Sequence, residues 1–172
     1  SLPFVYEGII MPQIKDGFEY TLIVDLDETL IHYNENGFYL TRPGVPTFLQ
    51  ELSKYYEIII FTAALKDYAD VIIDQIDMHK SITHRLYRQH CTLENDFHVK
   101  DISRLGRDLG KVLIIDNLAE SFSRQPDNGI LMKDWFDDME DTELLMLVPF
   151  LKSLVMNKVS DVREVLKQIL NY

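Results

Sequence analysis

Cysteine, basic residues and long apolar runs are all scarce in this chain of 172 residues. The single cysteine, Cys91, cannot form an intramolecular disulfide, which is typical of a protein from a reducing compartment. No apolar run approaches the roughly 18 residues that a membrane-spanning helix requires, and no signal-peptide pattern opens the sequence, so we expect neither in this segment. The 17 Lys and Arg are outnumbered by 28 Asp and Glu, and the net charge of -11 argues against direct nucleic-acid binding.

The rest of the composition is typical of a folded domain. With 47% hydrophobic and 26% charged residues, the chain is too apolar to be intrinsically disordered. Its length corresponds to one domain at roughly 150 residues per domain. We expect an N-terminal arm over residues 1–20 and a single domain over residues 21–172. Within that domain we expect an inserted subdomain around residues 78–100, where the pattern of helices and strands is interrupted.

Three short apolar runs, each ending in a polar residue, predict strands of one sheet. They cover residues 21–25, 58–62 and 112–116. Their continuous β-branched composition is typical of parallel strands buried on both faces. Apolar residues at spacings of three and four predict helices over 45–56 and 66–77. This order predicts an α/β fold with an open, mostly parallel, Rossmann-like sheet, helices on both of its faces and a small insertion.

Further helices are predicted nearer the C-terminus. A short helix is expected over residues 101–109, before the third strand. The segment 142–156 has a dense apolar face, in which Pro149 should bend the helix or start a new one. Asp161 and Glu164 have the spacing of a capping box for a last helix.

Polar side chains stand at the carboxyl ends of the predicted strands, where ligands bind in open α/β sheets. They are Asp25, Asp27, Thr62, Asp116 and Asn117. Any one of them could merely terminate its strand, but carboxylate, amide and hydroxyl groups converging from different strands are poorly explained by core packing. Clustered hard oxygen ligands suit Mg²⁺, which would hold a phosphoryl group that bare carboxylates repel.

The segment 25–29 (DLDET) makes this expectation more specific. An Asp directly after a buried strand can act as a covalent nucleophile and form an aspartyl phosphate. A second carboxylate two residues later can protonate the leaving oxygen and then activate water. The segment resembles the first motif of the haloacid dehalogenase superfamily, Asp-x-Asp-x-Thr or Val.

Further segments, in the order found in that superfamily, extend the resemblance over residues 21–170. The second, third and fourth motifs are matched by residues 61–64 (FTAA), 99–106 (VKDISRLG) and 115–117 (IDN). The closing segment of the small C-terminal-domain phosphatases, the NLI-interacting-factor-like group, is matched by residues 135–138 (WFDD) and 141–145 (DTELL). Residues 87–94 (YRQHCTLE) are similar to the Dullard-type, nuclear-envelope branch. This group is related to the enzymes that dephosphorylate the tail of RNA polymerase II.

The resemblance implies catalytic roles for four residues. Asp25 corresponds to the nucleophile, which is also a Mg²⁺ ligand. Asp27 corresponds to the general acid and base, whose backbone carbonyl also reaches the metal. Thr62 and Lys100 correspond to residues that bind the phosphoryl group.

The resemblance also implies metal and substrate contacts. Asn117 corresponds to the remaining protein ligand of Mg²⁺, with Asp116 binding the metal directly or lying beside it. Arg88 matches an arginine near the substrate. Leu65 and Tyr68 match one side of an apolar substrate pocket.

One departure concerns the other side of that pocket. Only residues 28–41 separate Asp27 from the Arg-Pro-Gly segment at 42–44, where the small C-terminal-domain phosphatases have a longer segment. We expect Phe38, Tyr39 and Leu40 to replace part of the wall. Recognition of a polymerase tail is therefore less firmly implied than catalysis.

The resemblance implies a Mg²⁺-dependent phosphatase that acts on phosphoserine or phosphothreonine in a flexible protein segment. Two alternatives stay open: a phosphatase of small metabolites, and a catalytically silent protein-binding module like the mitochondrial import receptor of this fold. We expect a monomeric domain with a phosphorylated protein as substrate, and leave a regulatory subunit open. The implied location is intracellular, nuclear or at the nuclear envelope.

Overall fold

A five-stranded parallel sheet forms the centre of the computed structural model, which describes residues 8–170. In chain order the strands are β1 (Tyr20–Val24), β2 (Ile31–Tyr33), β3 (Tyr39–Thr41), β4 (Tyr56–Phe61), β5 (His84–Leu86), β6 (Thr92–Glu94), β7 (Phe97–Val99), β8 (Val112–Asp116) and β9 (Gly129–Leu131). The main sheet has the order β5-β4-β1-β8-β9, and each neighbouring pair is parallel. In the central strand, Ile23 pairs with Ile59 on one side and Ile114 on the other.

Four α-helices and several short 3₁₀ helices complete the described part of the chain. The α-helices are α1 (Val45–Leu52), α2 (Lys66–Ile76), α3 (Glu143–Met156) and α4 (Val162–Leu170). The 3₁₀ helices are Arg88–His90, Ile102–Leu105, Leu109–Lys111, Ala119–Phe122 and Pro126–Asn128. Within residues 8–170, none of the helices is long and apolar enough to cross a membrane.

Alternation along β1 divides the core into two layers. Leu22 and Val24 pack in a cluster to which all four α-helices contribute, whereas Ile23 packs in a second cluster on the other face. The 3₁₀ helices supply Ile102 and Phe122 to this second cluster. The predicted α/β class is therefore confirmed, with α-helices on one face and short 3₁₀ helices on the other.

Some predicted helices have different boundaries. The helix predicted over 45–56 ends at Leu52, because Tyr56 begins β4 and its hydroxyl donates to the carbonyl of Leu151 at 2.7 Å. The segment 101–109 is not one helix: Gly106, in the left-handed region at φ 73°, ends the first 3₁₀ turn. α3 continues through Pro149 as a single helix.

The last helix has a simpler cap than the predicted box. The Asp161 carboxylate accepts a hydrogen bond from the backbone N–H of Arg163 at 3.0 Å, which satisfies one free donor of the first turn.

The segment 78–100 is divided between two parts of the molecule. His84–Leu86 is an edge strand of the main sheet, parallel to β4. Of the other strands in this segment, β6 and β7 form a hairpin outside that sheet, and the 3₁₀ helix Arg88–His90 lies between β5 and this hairpin. Of the arm expected over residues 1–20, residues 1–7 lie outside the described residues, and Tyr20 already belongs to β1.

Candidate active site

The loop after β1 fixes the position of Asp25. The backbone N–H of Asp25 donates to the carbonyl of Ile115 at 3.0 Å, so the residue still follows the sheet. The chain then turns back, and Glu28 adopts a left-handed φ of 61°. This turn brings the Thr29 hydroxyl to 2.9 Å from Asp25 Oδ2, to which it donates. One carboxylate oxygen of Asp25 is thereby held by its own loop.

Lys100 holds the other oxygen. Its Nζ donates to Asp25 Oδ1 at 2.7 Å and to Asp116 Oδ2 at 2.6 Å. Lys100 is positioned directly after β7, and its backbone N–H donates to the carbonyl of Ser121 at 2.8 Å. The side chains of Lys100, Asp25 and Asp116 are 3%, 9% and 1% exposed. The ammonium group therefore bridges two buried carboxylates that come from different strand ends.

Burial and charge oppose each other in this cluster. Burial raises the pKa of the Asp25 and Asp116 carboxyls, and the Lys100 ammonium offsets only part of that rise. Burial alone would lower the pKa of Lys100, but the two carboxylates outweigh it and raise the pKa. Lys100 therefore keeps its positive charge, which is the charge needed to bind a phosphate dianion.

Thr62 and Arg88 lie on another side of the site. Thr62 follows β4, and its Oγ1 accepts a hydrogen bond from the Ala64 backbone N–H at 3.0 Å. Within the described part of the chain, no group accepts the Thr62 hydroxyl proton, so it can donate to a phosphoryl oxygen. Arg88 is exposed, and its Nε donates to the carbonyl of Ala63 at 2.7 Å.

The oxygen atoms near Asn117 fit a magnesium ion. Thr29 Oγ1 lies 2.9 Å from Asp25 Oδ2 and 3.5 Å from Asn117 Oδ1, so these two candidate ligands share one neighbour. The Asn117 amide nitrogen donates to Asp134 Oδ1 at 2.7 Å, which leaves the amide oxygen for a cation. Both Asp116 oxygens are already used, by Lys100 and by the Leu118 N–H.

This donor set is small. Within residues 8–170, no three His, Cys, Asp or Glu side chains are arranged to hold a metal ion. One carboxylate from Asp25, one amide oxygen from Asn117 and the backbone carbonyl of Asp27 would leave several positions to water. Mg²⁺ commonly binds in this way, because it keeps much of its hydration shell.

Asp27 is held by a tyrosine of α2. The Tyr68 hydroxyl donates to Asp27 Oδ1 at 2.6 Å. Burial raises the pKa of the Asp27 carboxyl, and the hydrogen bond from Tyr68 opposes that rise. The pKa is raised on balance, which favours the protonated form that a general acid requires.

An open cavity of about 350 Å³ joins these groups. It is lined by Asp25, Asp27, Glu28, Thr62, Ala63, Ala64, Arg88, Asp96, Phe97, His98, Lys100, Asp116, Asn117, Leu118 and Ser121. We call it the catalytic cavity. All the predicted catalytic and metal-binding residues line it, as does Arg88, whereas Leu65 and Tyr68 do not.

A second cavity of about 420 Å³, here named the aromatic groove, lies between α2 and the hairpin of β2 and β3. It is lined by Tyr33, Gly37, Phe38, Tyr39, Asp67, Tyr68, Val71, Ile72 and Gln75. Phe38, Tyr39 and Tyr68 line the groove, whereas Leu65 and Leu40 are exposed and do not line it.

Sequence reasoning assigned no role to several site residues. Thr29 was part of the first motif, and its position four residues after Asp25 was the available signal. Asp134, which orients Asn117, had no sequence signal. The hairpin that brings Asp96 to the cavity turns at Asn95 and Asp96, which both have the positive φ of a tight hairpin turn. The sequence signal for this turn was the Asn-Asp pair itself, since these residue types tolerate positive φ.

Comparison with protein families identifies the group to which this arrangement belongs. The family model of NLI interacting factor-like phosphatases matches residues 20–163. The chain belongs to this family. It is 44% identical over 152 residues to the mitochondrial import inner membrane translocase subunit TIM50 of Kluyveromyces lactis, covering 86% of this chain and 32% of the relative.

Another relative is named as a phosphatase. The chain is 38% identical to human carboxy-terminal domain RNA polymerase II polypeptide A small phosphatase 1, covering 92% of this chain and 68% of the relative. Several curated relatives are much longer than this family member, which spans 32%, 58% and 55% of three of them.

The fold is also found in a solved structure. A variant of the fission yeast RNA polymerase II CTD phosphatase Fcp1, bound to beryllium fluoride, superposes with a TM-score of 0.56 at 18% identity, covering 88% of this chain and 62% of that one. At this identity the likeness establishes the fold alone.

Proposed function

We propose that this chain is a Mg²⁺-dependent protein phosphatase that forms an aspartyl phosphate on Asp25. The observation that carries the proposal is the Lys100 ammonium, buried between Asp25 and Asp116 at the floor of an open cavity. A buried cation beside an oriented carboxylate supplies a nucleophile and a phosphate-binding charge in one place. Preorganised charge of this kind provides most of the acceleration in phosphoryl transfer.

In the first step the Asp25 carboxylate attacks phosphorus while Asp27 gives its proton to the leaving serine or threonine oxygen. Lys100 and the Thr62 hydroxyl hold the phosphoryl oxygens during the transfer. Thr29 and Lys100 keep the Asp25 carboxylate in one orientation, so little reorganisation is needed when the substrate arrives.

In the second step Asp27, now a carboxylate, takes a proton from water, and the resulting hydroxide attacks phosphorus and releases Asp25. The acid is thereby returned to its starting state. Asp25, Asn117 and the Asp27 carbonyl would hold Mg²⁺, with Asp116 close by. Bound there, the ion would offset the negative charge of the carboxylates and the phosphoryl group.

Two features support a protein substrate. Of the two hairpins outside the main sheet in the described part of the chain, only β6–β7 contributes residues to the lining of the catalytic cavity, which is open and can admit a polypeptide. The aromatic groove also gives a neighbouring residue of the substrate an apolar surface, with Tyr68 on one wall, and Leu65 lies exposed at the start of α2. Arg88 on the cavity wall would contact the phosphate or the flanking chain.

The rival function from a different class is a protein-binding module without turnover. It is favoured by the 44% identity to a subunit whose name describes mitochondrial import. The nuclear or nuclear-envelope location that the resemblance implies therefore competes with a mitochondrial one. A phosphatase of small metabolites is the alternative within the enzyme class.

Hydrolysis of nitrophenyl phosphate tests the proposal. We expect nitrophenol release that requires Mg²⁺ and disappears in Asp25→Asn, with Lys133→Ala as a control because Lys133 is exposed and lies outside the catalytic cavity. No release with any divalent cation, together with retained binding of phosphopeptides, would favour the binding module. A panel of phosphopeptides and phosphorylated metabolites then separates the two enzymes by their kcat/KM values.

We also propose that residues 21–172 act as a single, monomeric catalytic domain. The support is that the site combines Asp25, Lys100 and Asn117 from distant parts of the chain around one sheet. A regulatory partner would act on this domain from outside the cavity.

A further inference from the structure

Tyr68 links the aromatic groove, which it lines, to a residue of the catalytic cavity. Its hydroxyl donates to Asp27 Oδ1 at 2.6 Å, and Asp27 lines the catalytic cavity. Its ring forms a wall of the aromatic groove and contacts the Tyr33 ring edge-on, with ring centroids 5.6 Å apart. A single side chain therefore separates the acid from the apolar surface beside it.

The position of Tyr68 is set by rigid parts of the fold. It lies in the first turn of α2, and the next residue, Ala69, is fully buried in the main core together with Ile72. Asp27, in contrast, lies in a loop after β1 and is only half-buried. Among residues 8–170, Tyr68 is the only side chain that forms a hydrogen bond with the Asp27 carboxyl.

We infer that Tyr68 is a positioning residue that aligns Asp27 for proton transfer. This inference rests on the proposed role of Asp27. With Oδ1 accepting from Tyr68, Oδ2 carries the transferable proton: it gives the proton to the leaving oxygen in the first step and receives one from water in the second. Tyr68 keeps its own proton in both steps. Since the same ring is a wall of the aromatic groove, substrate binding and alignment of the acid depend on one side chain.

The test uses Tyr68→Phe, which keeps the ring and removes the hydroxyl. A serine alkoxide needs a proton to leave, whereas nitrophenolate leaves with little help. We expect the first step with a phosphoserine peptide to slow by about tenfold, part of the 10²–10⁴-fold that general acid catalysis supplies. KM should stay within about twofold, and the first step with nitrophenyl phosphate should be nearly unchanged. Rapid-quench kinetics measure both.

Two controls separate positioning from general damage. Tyr55→Phe makes the same change at a half-buried tyrosine outside both cavities and should alter neither rate. In a double-mutant cycle, Tyr68→Phe should have no further effect on the first step once Asp27→Asn has removed the acid. A structural role would instead give additive losses.

Equal slowing with both substrates, additive losses in the cycle, or a raised KM with unchanged kcat would each overturn the inference. A wild-type chain that hydrolyses neither substrate would overturn the proposed function and the inference together. An active wild type whose Tyr68→Phe variant is unaffected overturns the inference alone.

Discussion

The charge of Lys100 is shared between Asp25 and Asp116 before any substrate arrives. Lys100→Ala removes this preorganised charge, so we expect a loss of about 2–4 kcal/mol in transition-state stabilisation. kcat/KM for nitrophenyl phosphate measures it. The variant also leaves two buried carboxylates without a compensating positive charge, so its folding must be checked by circular dichroism and urea unfolding. Lys133→Ala provides the matched control, and near-normal kcat/KM in a folded Lys100→Ala variant would exclude the role.

The two steps assigned to Asp27 can be separated with one substitution. Asp27→Asn should still form the aspartyl phosphate from nitrophenyl phosphate, because nitrophenolate needs little protonation. Hydrolysis of that intermediate needs a base and should nearly stop. We therefore expect a burst of up to one equivalent of nitrophenol per enzyme in rapid mixing, and no comparable burst of product with a phosphoserine peptide. Equal slowing of the first step with both substrates would show that Asp27 is not the acid.

The residues of the candidate site were predictable to different extents. Asp25, Thr62 and Asp116 end buried strands, and parallel strands bring such ends to one edge, so their proximity could be foreseen. Lys100 was found only through resemblance, because nothing in its local sequence shows that it is buried between two carboxylates. The hydrogen bond that Asn117 donates to Asp134 depends on the path of a loop, which no sequence period describes.

At the scale of single elements, Gly129 shows how closely β9 is packed. An added Cβ would lie 2.2 Å from two ring atoms of Phe122, a buried residue of the second core layer. Gly129→Ala should therefore lower the free energy of unfolding by about 1–3 kcal/mol, as overpacking does. Because Phe122 belongs to the 3₁₀ helix whose Ser121 carbonyl holds Lys100, activity should fall as well.

Urea unfolding measures this change, and Gly37→Ala is the contrast. Gly37 has a positive φ of 84°, but the nearest atom to an added Cβ is 4.0 Å away. Only the backbone cost of roughly 1–2 kcal/mol for the left-handed region remains there. A Gly129→Ala variant as stable as the wild type would mean that the Phe122 ring moves without cost.

Element type followed from periodicity where the elements were long and apolar. β1, β4, β8 and α2 were predicted to within two residues of their observed bounds. The three-residue strands of the two hairpins were not predicted, because such short polar segments have no detectable period. β5 was assigned to an insertion because it is equally short and has no detectable period. Its pairing with β4 is set by tertiary contact rather than by its own sequence.

At the scale of the whole molecule, a second buried ion pair stabilises the sheet at the amino-terminal ends of its strands, opposite the site. The guanidinium of Arg107 donates to Glu57 at 2.7 and 3.0 Å, and Thr21 donates to the same carboxylate at 3.0 Å. Burial alone would raise the pKa of Glu57, but His84, Arg107 and Thr21 outweigh it and lower the pKa to about 2, from 4.5.

This shift predicts the acid sensitivity of the fold. Because the folded-state pKa is depressed, the stabilisation is present above about pH 4.5 and is lost as the pH falls toward 2. The free energy of unfolding should drop by up to about 3 kcal/mol over this window. In Glu57→Gln that part of the pH dependence should disappear, and the variant should be less stable near neutrality because the Arg107 guanidinium remains buried without a carboxylate to balance its charge.

Urea unfolding at a series of pH values measures the difference. Glu35→Gln, at an exposed glutamate in the β2–β3 turn, should behave like the wild type. A Glu57→Gln variant that keeps the full acid-dependent loss would assign the sensitivity to other carboxylates.

The central place of β1 has a consequence for how the chain folds during synthesis. β1 ends at Val24, yet one of its two sheet partners, β8, begins only at Val112 and is therefore synthesised much later. Pairing β1 with β8 closes a loop of more than eighty residues. The entropic cost of closing a loop rises only slowly with its length, but forming contacts between residues so distant in sequence is slow. Until β8 is synthesised, the hydrogen-bonding edge of β1 that will pair with it is open, and another chain could pair there. This nascent chain is therefore the form most exposed to aggregation and chaperone binding.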